Sequence, residues 1–287
     1  MIRIPGFFAE YQRSVDVELA RLVPDSGDAV QRSMAYTVLA PSKRVRPVLV
    51  LLCAELCGGR AINALPIAAS VELVHAASLI LDDLPSMDDA ALRRGRPTNH
   101  KQFGEAIAIL AAFALLNLSF GTIASACEAA LSAQISKLFS DAVGRDGLVG
   151  GQAADLLATD QAIDFEMLER IHRGKTGALF VAAASAGALT AGATAEAIGS
   201  LTSYAKNLGL AFQIIDDLLD VEGDPAETGK VVRADARKTT FVSFSGVSGA
   251  RQLARELCET ADRALAPFGK RADRLRELSA FVVGRSQ

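Results

Sequence analysis

The chain has 287 residues; half are hydrophobic, 22% are charged and none is tryptophan. That much apolar side chain excludes a disordered polypeptide. Lys and Arg number 30 against 33 Asp and Glu, a net charge of -3, so no basic excess points to nucleic acid or to an anionic membrane surface as a partner.

The first twenty residues carry no long apolar run before charges begin, so no targeting segment is read there and a cytoplasmic location is expected. From there on, alternating strand patterns are nearly absent. Ala- and Leu-rich segments with helical spacing dominate. Breaks are predicted at Pro24–Gly27, Gly58–Pro66, Gly144–Gly151, Gly187–Thr194 and Gly223–Gly229. The pattern predicts an all-α fold of roughly ten or more helices in one domain over residues 1–287, with central helices shielded by others. The apolar run Ala106–Leu116 is shorter than the ~20 residues a membrane span needs. Thr176–Ala195 is uncharged but rich in Ala, Gly, Ser and Thr, which predicts a buried helix packed through small residues and no membrane span. Four cysteines are too few for a disulfide framework in a chain this long, and Cys53 and Cys57 read as small core residues.

Two acidic clusters interrupt the apolar pattern. One is Asp82-Asp83-Leu84-Pro85-Ser86-Met87-Asp88-Asp89; the other is Asp216-Asp217-Leu218-Leu219-Asp220. Each follows an apolar helical stretch. Asp216 and Asp220 are four residues apart and share a helix face. Pro85 ends or bends the first helix, and that bend can return Asp88 to Asp82. Stacked like charges repel unless a cation sits among them. Mg²⁺ suits such a site, since it takes hard oxygen ligands from one or two carboxylates and from substrate phosphates. The basic runs Arg93-Arg94-Gly95-Arg96 and Lys43-Arg44-Val45-Arg46 also break apolar sequence, and guanidinium forks match phosphate oxygens.

With these motifs the chain resembles the trans-isoprenyl diphosphate synthases, most of all the bacterial geranylgeranyl diphosphate synthases. The resemblance runs in order from about residue 40 to 245 and takes in Gly150-Gly151-Gln152-x2-Asp155, Lys175-Thr176-Gly177, Thr228-Gly229-Lys230 and Asp235-Ala236-Arg237-Lys238. It departs from the family pattern at Ser42 and Arg237, where glycine is usual. The resemblance implies a helical bundle around a central apolar cavity. It also implies a Mg²⁺-dependent condensation of isopentenyl diphosphate with an allylic diphosphate, with three Mg²⁺ per site, and a homodimer.

Residue by residue, the resemblance implies metal ligands at Asp82, Asp83, Asp88, Asp216, Asp217 and Asp220. Allylic diphosphate contacts are implied at Arg93, Lys175, Thr176, Gln213, Lys230 and Lys238, and isopentenyl diphosphate contacts at Lys43, Arg46, His75 and Arg94. The catalytic set is then Asp82, Asp83, Asp88, Arg93, Lys175, Asp216 and Lys230. Residues one turn below Asp82 set product length in the family; here they are Ala77 and Ser78, both small, which implies a C20 product, with a floor near Phe113 as the fallback. Farnesyl or another short chain length is the alternative within the same class. A class I terpene cyclase is disfavoured by the Asp-rich second motif and the scarcity of aromatics, and a regulatory subunit by the intact aspartate motifs, although Cys53-x3-Cys57 resembles a pairing motif of such subunits.

Overall fold

The structure is a computed structural model and describes residues 6–222 and 238–284. Thirteen α-helices follow one another among these residues. They begin with α1 (Gly6–Leu22), α2 (Ala29–Val38), α3 (Val45–Leu56) and α4 (Ala61–Asp82). A small hairpin of β1 (Leu92–Arg93) and β2 (Arg96–Pro97) leads to α5 (Asn99–Phe103), α6 (Glu105–Ala126), α7 (Ala129–Val143), α8 (Leu148–Ala158) and α9 (Phe165–His172). A π-helical turn, Arg173–Gly177, joins α9 to α10 (Ala178–Thr190). The long α11 (Ala195–Glu222) follows, then α12 (Phe241–Ala264), a 3-10 stretch (Ala266–Ala272) and α13 (Asp273–Val283).

α4 is the central helix, with α1, α2, α3, α6 and α10 all packed on it. Ile67, Leu73 and Ile80 of α4 are fully buried, as are Leu49 of α3, Leu115 of α6 and Phe180 of α10. Removing each such side chain from water contributes about 1.5–3 kcal/mol. A second apolar cluster, including Leu168, Ile214, Leu218 and Phe241, ties α9, α11 and α12 together. α10 is the buried small-residue helix expected from its composition: Ala182, Ala183, Ala184 and Ala186 are all enclosed.

Several predicted boundaries move. Pro66 lies inside α4 rather than in a break. One lost backbone bond near a helix start is outweighed by the buried run Ile67 to Val74 that follows, and Ser70 Oγ donates to the Pro66 carbonyl at 2.9 Å. Gly187 stays within α10, whose end comes at Thr190. Gly150 and Gly151 lie inside α8, for a reason that belongs to the site below. The break predicted at Gly223–Gly229 lies outside the described residues. α6 extends well past Leu116, and both α4 and α6, at 22 residues, are long and apolar enough to cross a membrane. α4 owes its composition to burial. α6 keeps one open apolar face, with Leu110 and Phe113 exposed. The four cysteines are free thiols, with Cys53 buried as read from the sequence.

Candidate active site

The first acidic cluster begins where α4 ends. After Asp82 the chain curls back, so that the Asp88 N–H donates to the Asp82 carbonyl at 3.0 Å and the Asp89 N–H to that of Leu84 at 3.0 Å. The return of Asp88 to Asp82 predicted from Pro85 is therefore present. Consecutive helical residues point about 100° apart, so two adjacent aspartates cannot face the same way. Asp83 is the inward one. It accepts from Arg93 Nη2 at 2.6 Å and from Nε at 2.9 Å, while the Arg93 guanidinium stands 3.9 Å from Asp82. Burial opposes the charge on Arg93, but the hydrogen bonds and attraction of Asp83 outweigh it and raise the guanidinium's pKa.

The hairpin that delivers Arg93 was not foreseen. Its turn residues, Arg94 and Gly95, both have left-handed backbones (φ 54° and 72°), the requirement of a two-residue type I′ turn. The turn sends Arg94 away from the aspartates and toward the loop before α3, where Nη1 donates to the Pro41 carbonyl at 3.2 Å.

Facing this cluster is the π turn 173–177, a geometry often found at functional sites. Its position follows from α8. Gly151 and Asp155 are four apart and share the face of α8 that packs against the turn. A Cβ on Gly151 would lie 2.1 Å from the Lys175 nitrogen, so only glycine admits the turn this close. One helical turn on, the buried Asp155 carboxylate accepts from Lys175 Nζ at 2.8 Å and from Lys238 Nζ at 3.0 Å through the same oxygen. Lys175 also stands 3.4 Å from Asp82, and Lys238 donates to Asp88 at 2.8 Å. Burial works against charge at both lysines, but Asp82 and Asp155 outweigh it at Lys175, and Asp155 and Asp88 at Lys238, so both pKa values rise. Asp155 shifts the opposite way: burial favours its neutral form, yet the two ammonium groups hold its pKa below the ordinary range. Asp155 belongs to a motif visible in the sequence, but nothing in the spacing showed that it anchors two lysines.

The next residue of the π turn reaches the second cluster. Thr176 Oγ1 donates to Gln213 Oε1 at 2.8 Å, and Gln213 Nε2 donates to Asp217 Oδ1 at 2.9 Å. Asp217 is buried, and its other oxygen accepts the Phe241 N–H at 3.1 Å, at the start of α12. Asp216 and Asp220 lie on one half-buried face of the unbroken α11, as their spacing predicted. The turn thus links the two acidic motifs: Lys175 to Asp82, Thr176 through Gln213 to Asp217. Lys230 and Arg237 lie outside the described residues.

Two helical turns before Asp82 on α4, His75 Nε2 stands 3.5 Å from Arg46 Nη1. A guanidinium has no acceptor, so Nε2 accepts and the ring proton sits on Nδ1. Burial, followed by the nearby Arg46 and Arg94 charges, pushes the His75 pKa well down and keeps the ring neutral. Lys43 precedes Arg44 in the loop touched by Arg94. A cavity of about 130 Å³ next to these groups is walled by His75, Arg94, Arg93 and Asp83 together with Tyr36 and Pro41. Below Asp82, Ala77 is buried and Ser78 half-buried, with Ser78 Oγ donating to the His75 carbonyl at 2.8 Å. Phe113, the fallback floor for the product, is 65% exposed on the outer face of α6 and cannot close an internal channel of this chain.

Among the described residues, no three Asp, Glu, His or Cys side chains converge into a ready cage for a metal ion. A Mg²⁺ ion shared with phosphates needs no such cage. Asp82 Oδ1 is buried without a hydrogen bond, and Lys175 reaches it only as an ion pair. An orphaned, hard carboxylate oxygen beside an acidic cluster fits Mg²⁺. Asp83 and Asp217 fit less well as ligands: the first is taken by Arg93, the second by Gln213 and the Phe241 N–H.

The family model described as polyprenyl synthetase matches residues 28–264. The farnesyl diphosphate synthase of Bacillus subtilis is 37% identical, over 99% of this chain and 98% of its own. Geranylgeranyl pyrophosphate synthase 6 of Arabidopsis thaliana is 42% identical over 89% of this chain and 80% of its own. The solved structure of an FPP/GFPP synthase from Zymomonas mobilis superposes with a TM-score of 0.86 at 34% identity, covering 97% of this chain and 98% of that one. The chain belongs to the polyprenyl synthetase family and, within it, is a short-chain prenyltransferase.

Proposed function

We propose that this enzyme joins isopentenyl diphosphate head-to-tail to an allylic diphosphate and yields geranylgeranyl diphosphate, C20. The observation that carries the chemistry is the ring of charge around the π turn: Asp82, Asp88 and Asp155 on one hand, Lys175 and Lys238 on the other, with Arg93 beside them. The allylic C–O bond breaks with its electron pair leaving on the diphosphate. Lys175, Lys238 and Arg93 are placed to take up that negative charge as it develops. In this assignment Asp82, Asp88, Asp216 and Asp220 hold Mg²⁺, three ions per site, and Asp83 and Asp217 support them from within. Bound Mg²⁺ supplies Lewis-acid stabilisation of the leaving group. Lys43, Arg46, His75 and Arg94 hold the second diphosphate. The new C–C bond takes its electrons from the isopentenyl double bond, and the proton then lost from the adjacent carbon passes to the released diphosphate. Apolar walls keep water from the cation meanwhile.

The C20 length is supported by Ala77 and Ser78, both small and one helical turn before Asp82. Incubation with farnesyl diphosphate, labelled isopentenyl diphosphate and Mg²⁺, followed by sizing of the product, tests this. A dominant C20 product supports the assignment; no labelled product, or a main product of C25 or longer, rejects it. Ala77→Tyr should then shorten the product.

The same proposal includes a homodimer in the cytoplasm. It is supported by the outer face of α6, where Ala106, Leu110, Phe113, Gly121 and Ala124 form an exposed, mostly apolar stripe at helical spacing. Phe113→Glu should convert a dimer to a monomer by light scattering.

A further inference from the structure

Lys43 sits between two residues that are fastened to the same carboxylate. Ser42 Oγ donates to Glu72 Oε1 at 3.2 Å, and Arg44 Nη1 donates to that same oxygen at 2.7 Å. Arg44 and Glu72 are only 5% and 4% exposed. The remaining donors of Arg44 are also engaged: Nε to Asp16 at 2.8 Å and Nη2 to the Val38 carbonyl at 2.7 Å. From the outside, Gln12 Nε2 donates to the Ser42 carbonyl at 2.7 Å.

The Arg44 backbone is left-handed (φ 50°, ψ 34°). A side-chain-bearing residue holds that conformation only where its surroundings impose it. Here it turns the loop directly into α3, whose second residue is Arg46. Glu72 itself lies three residues before His75 on α4, on the same side of the helix. One buried carboxylate therefore stands one residue from Lys43 through Arg44, two further from Arg46, and one helical turn from His75.

A buried ion pair is a poor way to gain stability, because apolar residues of similar size serve as well or better. What it does supply is a fixed distance and direction. Glu72 also sets a negative charge between Arg44 and Arg94, which would otherwise repel one another. The hydroxyl of Ser42, at a position where glycine was expected, adds a fastener to the same carboxylate.

We propose that Glu72 is a positioning residue for the isopentenyl diphosphate subsite, holding Lys43 and Arg46 in register, and that Ser42 assists it. The proposal rests on the assignment of Lys43, Arg46, His75 and Arg94 to that subsite. The test is steady-state kinetics of the full-length enzyme and of Glu72→Gln, Ser42→Gly, the double variant and Arg46→Ala, with each diphosphate varied in turn. Glu72→Gln is expected to raise the KM for isopentenyl diphosphate about tenfold, and Ser42→Gly about threefold, with the allylic KM and kcat within about twofold of the parent. In the Glu72→Gln background, Ser42→Gly should add nothing, since both act through one oxygen.

Equal rises in both KM values with a fall in kcat, or an isopentenyl KM unchanged in both single variants, overturn the proposal. An Arg46→Ala enzyme with an unchanged isopentenyl KM overturns the subsite assignment instead. Should Glu72→Gln fail to give a folded protein by thermal unfolding, Ser42→Gly decides alone: a selective rise supports the proposal and no rise rejects it.

Discussion

The two acidic motifs share a plan and differ in how they execute it. Each contains adjacent aspartates, and in each the second of the pair turns inward: Asp83 and Asp217 are both buried. Their supports are unlike. Asp83 accepts from a guanidinium delivered by the β1–β2 hairpin, whereas Asp217 accepts, among its contacts, from an amide of its own helix and from the backbone N–H that opens α12. The first motif lies at a helix end, where the chain can curl back and bring a separate Arg to the carboxylate. The second lies within α11, where an i−4 neighbour and the start of another helix reach Asp217. Helical geometry alone divides each Asp-Asp pair into one group for the cleft and one for the fold.

The largest expected effect separates the outward pair from everything else. Asp82→Asn and Asp216→Asn should each lower kcat by about 10³ or more with little change in unfolding temperature, measured by product formation with excess Mg²⁺. Chelation of Mg²⁺ should abolish turnover in the parent enzyme, and added Mg²⁺ should restore it. The inward pair should behave in reverse and unequally. Asp83→Ala leaves the half-buried Arg93 guanidinium without this carboxylate and should cost about 2–3 kcal/mol in denaturant unfolding, whereas Asp217→Ala leaves the Gln213 amide and the Phe241 N–H without their acceptor and should cost about 1–2 kcal/mol. A cost near zero for Asp83→Ala would show that Arg93 is held by something other than Asp83.

A pH scan sharpens the contrast on the α11 side. His172 packs its ring against Phe241, and burial brings its pKa down to about 4 from 6.5. Below pH 6.5 the unfolded chain binds a proton at this ring that the folded chain refuses, so stability should fall with pH down to about 4 and then level off. The slope from this group is about 1.4 kcal/mol per pH unit, and His172→Phe should remove that share of it in chemical denaturation at stepped pH. The smallest effect concerns the bridge between the motifs. Asp155→Asn releases Lys175 and Lys238 from their shared oxygen and should lower kcat about tenfold, with a lesser change in the isopentenyl KM. A loss confined to stability would make Asp155 a packing residue.

Much of this was legible in advance. Composition and period gave an all-helical chain, and the spacing of Asp216 and Asp220 gave a shared face. Pro85 announced the bend that returns Asp88 to Asp82. Other features were out of reach because they depend on residues distant in the chain. Gly150-Gly151 read as a break, yet Gly151 is a helix residue whose missing side chain lets the π turn approach, a contact between positions 24 residues apart. The hairpin rests on Arg94 adopting a left-handed backbone, which its side chain does not favour. Ser42 read as a departure from a pattern, and its bond to Glu72 spans 30 residues.

Local chemistry along the chain thus determined which segments are helices and where carboxylates and cations gather. Those properties follow from period, charge and short-range sterics, which need no partner segment. Only the tertiary structure decided which aspartate of each pair faces the cleft, that one oxygen of Asp155 serves two lysines, and that Glu72 lies beneath the basic loop. Such arrangements depend on how far apart separate helices settle when their apolar faces are packed, a distance that no single stretch of sequence contains.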